Sequence, residues 1–125
     1  MGAGQRLDAG DQVPHVTVHT VDGRRVSYAA MWQTQNLVLV ALPSSHSISE
    51  RALGQLRALD TSDTRCVITT DPVPGIVPPA VLIADKWGEI VHIVQAANDL
   101  PTVEDLAEWI DYVRQRCPEC EGEAR

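Results

Sequence analysis

The run Asn36-Leu37-Val38-Leu39-Val40-Ala41-Leu42 leaves a chain few ways to fold. Leu37 to Leu42 are all apolar, yet this is far short of the roughly 18 residues that a membrane helix needs. In a strand, successive side chains point to opposite faces. A strand with no polar position therefore has to be covered on both sides. The run reads as a central strand inside a layered α/β domain, and "AVLIAD" (80–85) and "RCVITT" (65–70) read as further buried strands.

The covers show as helical periods. Ile48, Ala52, Leu53, Leu56 and Leu59 share one face of a helix predicted over 48–60. Val103, Leu106, Ala107, Ile110 and Val113 do the same near the end of the chain. Thr102 and Asp105 fit a capping pair at the start of that second stripe. At the other end, Val16, Val18 and Thr20 alternate with Thr17 and His19. That period of two predicts a half-buried strand. Asp22-Gly23 then turns the chain, and "RRVSY" returns as the second arm of a hairpin. Lys86-Trp87-Gly88 makes another turn, returned by "EIVHIVQ". Between them, "DPVPGIVPP" holds four prolines and is neither helix nor central strand. The order is β-hairpin, β, α, β, β-hairpin, α. It predicts a mixed sheet with a parallel β–α–β step over residues 37–70.

A chain of 125 residues is expected to form one domain, here 1–116 followed by an acidic tail, 117–125. A net charge of −7 repels phosphate backbones and anionic lipid. Neither nucleic acid nor membrane is expected as a partner. The start "MGAGQRLDAGDQVP" has no apolar core of a secretory signal. The expectation is a cytoplasmic protein.

Four phrases in this order resemble the redoxin branch of the thioredoxin fold, which includes peroxiredoxins and the alkyl hydroperoxide reductase and thiol-specific antioxidant group. They are Gly10-Asp11-x-Val13-Pro14 with its strand, Asp22-Gly23 with its return, "LVLVALP" leading into a helix, and "VPPAVLIADKWGEIVHI". The resemblance spans roughly residues 7–113. It implies a thioredoxin-like three-layer fold with a mixed central sheet, an N-terminal β-hairpin and one helix after the third strand. It also implies that Pro79 follows a cis peptide bond. Two departures stand out. The helix that the family places before the cis-proline is replaced by the proline-rich loop. The peroxiredoxin pattern Pro-x-x-x-Thr/Ser-x-x-Cys is met by Pro43 and Ser47, but Glu50 stands at the peroxidatic cysteine. Laid on the thioredoxin Cys-x-x-Cys pattern, Ser47 and Glu50 replace both cysteines. The family's active-site arginine has no counterpart near 77–83.

The altered stretch "LPSSHSISE" has three readings. Ser47-Ile48-Ser49-Glu50 is a capping box, and glutamate suits the positive end of a helix dipole. A serine hydrolase built on Ser47 and His46 would need a base facing the hydroxyl and an orienting acid, and no such acid is evident. The third reading keeps the groove without the thiol: Pro43, Ser44, Ser45, His46, Ser47 and Glu50, opposite Pro79, would receive a protein partner. A redox cycle at this place lacks its thiolate.

Cys117-Pro118-Glu119-Cys120 is the rival site. Its spacing suits a thiol–disulfide couple or electron carrier. Its setting opposes one, because a helix C-terminus and Glu119, Glu121 and Glu123 disfavour a thiolate. It also offers half of a zinc site, with no second Cys-x-x-Cys to complete it. An inert tail is the third alternative. Cys66 reads as a small buried hydrophobe. The histidines His15, His19, His46 and His92 lack metal-ligand spacing and read as surface residues. His15 and His19 would lie about 13 Å apart on a strand. Trp32, Trp87 and Trp109 read as packing groups, with Trp87 exposed in its turn. No cofactor or metal is expected, and a homodimer is compatible with all of this.

Overall fold

The computed structural model describes residues 6–43, 50–96 and 101–115. Among them run β1 (Thr17–His19), β2 (Arg25–Ser27), α1 (Tyr28–Met31), β3 (Asn36–Ala41), α2 (Glu50–Arg57), β4 (Thr64–Thr69), β5 (Ala80–Ala84), β6 (Ile90–Val94) and α3 (Val103–Gln115). β3 is the central strand that its composition predicts. It pairs in parallel with β4, from Asn36↔Thr64 to Ala41↔Thr69. On its other side it pairs antiparallel with β5, from Leu37↔Ala84 to Ala41↔Ala80. β6 closes the order β4-β3-β5-β6 as the antiparallel partner of β5. β1 and β2 form a separate hairpin.

The alternation of β3 feeds two cores. Val38, Val40 and Leu42 point with Ile68, Val81 and Ile83 to one face, where Leu56 and Leu59 cover them from the α2 segment and Leu106, Ile110 and Val113 from α3. Leu37 and Leu39 point with Val67, Leu82 and Ala84 to the other, under Val13, Val18, Tyr28, Met31 and Val73. The expected capping pair forms: the Asp105 backbone N–H donates to Thr102 Oγ1 at 3.1 Å.

The proline-rich segment 70–79 forms neither helix nor strand. It does more than link β4 to β5. Val73 is buried in the second core and Ile76 packs against it. The loop thus fills part of the face that the hairpin and α1 also cover.

Both edges of the sheet are met by the N-terminal segment. Gly10 N–H donates to Ile90 O at 2.7 Å, Ile90 N–H to Asp11 O at 2.9 Å and Val13 N–H to Gly88 O at 2.9 Å. At the opposite edge, Val21 N–H donates to Ile68 O at 2.9 Å and Thr20 bridges Thr69. Such cover shortens the template that a bare edge strand offers to another chain.

Three expectations need correction. "RRVSY" is not a strand throughout: β2 ends at Ser27, and Tyr28 opens the one-turn helix α1, which buries Tyr28 and Met31. Trp87 is not exposed but half-buried, and Trp32 Nε1 donates to its carbonyl at 3.0 Å. His92 is half-buried rather than fully exposed; it stacks on Trp109 with centroids 4.2 Å apart and planes 8° from parallel. The turn before β6 requires its glycine. Gly88 has φ +87°, and a Cβ there would sit 2.7 Å from Gln12 Oε1 and 3.0 Å from the Tyr28 hydroxyl.

Candidate functional site

One step beyond the last β3–β5 pair, Ala41↔Ala80, the two strands carry Leu42 and Pro79. Leu42 is buried, and its N–H donates to Thr69 O at 2.9 Å. Pro43 and Pro79 are half-buried at this same end of the sheet. The Pro78–Pro79 bond is cis, as the resemblance implied. Glu50 is the first residue of α2 and is exposed. The stretch therefore retains a strand, a helix start and a cis-proline on the neighbouring strand. Ser44, Ser45, His46 and Ser47 lie outside the described residues, and with them the capping box. Cys117 and Cys120 lie outside them too.

Cys66 is described, and it is a poor nucleophile. It sits on β4, packed against the helical-face core. Burial, helped by the Asp60 charge, pushes its thiol up to about 12, so at neutral pH it is protonated.

Beside this end of the sheet is a polar cluster that sequence reading missed. The Asp71 carboxylate accepts the His19 backbone N–H at 2.7 Å and pairs with the ring Nδ1 at 3.2 Å. The His19 N–H, then the ring, hold that carboxyl below the usual range. Thr69 Oγ1 donates to His19 O at 2.6 Å and accepts from Asp71 N–H at 2.9 Å. These bonds tie the hairpin to the end of β4. In the sequence, Asp71 registered only as the start of a breaker segment, and nothing linked it to a histidine 52 residues away.

Compared by sequence, the chain matches no protein-family model and no curated protein. Compared by structure, it is similar to several solved proteins. A peroxiredoxin-like protein from Aquifex aeolicus aligns at a TM-score of 0.63 and 13% identity, over 89% of this chain and 90% of its own. A thiol:disulfide interchange protein of the thioredoxin family from Chlorobium tepidum TLS aligns at 0.58 and 12%, over 86% and 99%. A thiol peroxidase from Chromobacterium violaceum aligns at 0.54 and 13%, over 91% and 91%. At such identities the likeness defines the architecture: the chain has the thioredoxin-like fold. Glu50 stands in the first turn of α2. Among the described residues, no helix is long and apolar enough to cross a membrane.

Proposed function

We propose that this protein is a redoxin-like binding module, set in a redox context, that lacks peroxidase chemistry at the usual position. One observation carries the reading: Glu50 heads α2, where the resemblance implies a cysteine. A carboxylate is no substitute for a thiolate in attack on a peroxide or a disulfide. The resemblance implies a groove beside Pro79 that would receive an extended segment. The groove runs between Pro43–Glu50 and Pro79, and its occupant is a protein partner.

The test has two arms. Incubation with hydrogen peroxide and a thiol readout is expected to give no turnover above buffer. Peptides selected from a random display library are expected to shift backbone amide resonances at Leu42, Thr69 and Ala80. Selected peptides that map elsewhere, or peroxide turnover by the parent chain, would sink the reading.

A second reading rests on the Cys-x-x-Cys spacing of Cys117 and Cys120. Two thiols there would pass two electrons to a substrate disulfide and become a disulfide themselves, to be reduced again by dithiothreitol. Insulin reduction by the parent, lost in Cys117→Ser, supports this thiol–disulfide oxidoreductase. An inactive parent removes it.

A further inference from the structure

Away from Pro79, where β6 begins, a groove of about 860 Å³ opens between that strand, the N-terminal arm and α3. Its walls include Gly10, Glu89, Val91, Glu108, Trp109 and Tyr112. The size lies within the range of ligand sites, roughly 300–1,000 Å³. Two carboxylates and two aromatic rings line one opening, and the rings are held in place. His92 stacks on Trp109, and Tyr112 meets Trp109 nearly edge-on, at 87° and 5.7 Å between centroids. Tyr112 is half exposed at the rim of the groove.

We infer that this groove is a docking site for an arginine-bearing segment of a partner protein. A guanidinium is planar, so it can lie against Trp109 while its N–H fork meets a carboxylate. Glu108, exposed on α3 beside Trp109, supplies the carboxylate. The charge of the chain, −7, favours approach of a basic segment and opposes an anionic one. A second copy of this chain is a poorer fit. It brings the same negative charge, and Gly10–Val13 already pair with this end of β6. The site is independent of the Pro43–Glu50 groove, so either can fail without the other.

The experiment titrates the full-length protein at low ionic strength with acetyl-Gly-Arg-Gly-Arg-Gly-amide, and with the same peptide carrying citrulline for arginine. The Trp109 indole N–H and the Tyr112 ring are followed by NMR. Saturable shifts at both are expected with the arginine peptide and not with the citrulline peptide. Glu108→Gln is expected to weaken binding about fivefold, in line with one exposed charge pair. Because Glu108 is exposed, its thermal midpoint should match the parent's. Equal binding of the citrulline peptide, shifts that map away from Trp109, or no saturable shift would overturn the proposal. So would self-association that perturbs the same resonances when the protein alone is concentrated.

Discussion

The two faces of the central sheet are equally dry but differently covered. On one, Val38 and Val40 are 0% exposed beneath α2 and α3. On the other, Leu37 and Leu39 are 3% and 5% exposed beneath a hairpin, a single helical turn and a proline-rich loop. A helix satisfies its own backbone while it buries a stripe. Irregular chain has to find each partner separately. Gln95 shows how: its amide donates to Leu7 O at 2.8 Å and accepts from Val77 N–H at 2.6 Å. Asp85, only 4% exposed, accepts from the N–H groups of Trp87 and Glu89, both at 3.0 Å. The irregular face also leaves something over. The Tyr28 hydroxyl and Trp87 Nε1 are buried with no hydrogen-bond partner among the described residues. On this face the backbone of the loop at Val77 depends on a side chain, Gln95, rather than on a helical partner.

That contrast can be broken by substitution. The largest effect is expected on the helical face. Leu106 is fully buried, and Leu106→Ala should cost about 2–5 kcal/mol in urea unfolding. On the irregular face, the polar tie should matter more than its modest size implies. Gln95→Ala leaves Leu7 O and Val77 N–H unpaired and should cost about 1–3 kcal/mol. A Gln95→Ala protein as stable as the parent would show that this face is held by apolar contact alone.

Tyr28 sharpens the comparison with the opposite sign. Burial, followed by the Asp85 charge, pushes its phenol up to about 12. A hydroxyl that is buried without a partner has lost its water for nothing. Tyr28→Phe is therefore expected to be neutral or to stabilise by up to about 1 kcal/mol. A loss of more than about 1 kcal/mol would mean that the hydroxyl is bonded after all.

The same division explains what the sequence made legible. "NLVLVAL", "AVLIAD" and the stripe from Val103 to Val113 are periodic or continuous over enough residues to declare their state, and all three form as expected. The cis-proline and the absent helix came through the resemblance, from the order of phrases. α1 was invisible because Tyr28–Met31 spans little more than one helical turn. Val73 and Ile76 were hidden inside a segment whose prolines announce only what it is not. The His19–Asp71 pair and the Trp109 groove depend on chain segments far apart in sequence, and no local pattern encodes them. Of the candidate groove, Pro43, Glu50 and Pro79 are among the described residues.

The smallest predicted effect lies at the junction of the helical face and the groove. His92 is half-buried against Trp109, and burial lowers its pKa below the ordinary value of about 6.5. A lowered histidine pKa means that the unfolded chain binds the proton more readily than the folded one. This contribution is thus fully present above about pH 6.5, and declines as pH falls through that value toward the folded pKa. The depressed carboxyls, Asp22, Asp63 and Asp71, titrate lower still and leave this window clear of their own losses. Unfolding free energies at about pH 7 and about pH 5.5 are expected to differ more in the parent than in His92→Gln. Identical pH slopes in the two proteins would mean that His92 sits in water rather than under Trp109. Trp109 would then stand at the groove without the stack that fixes it.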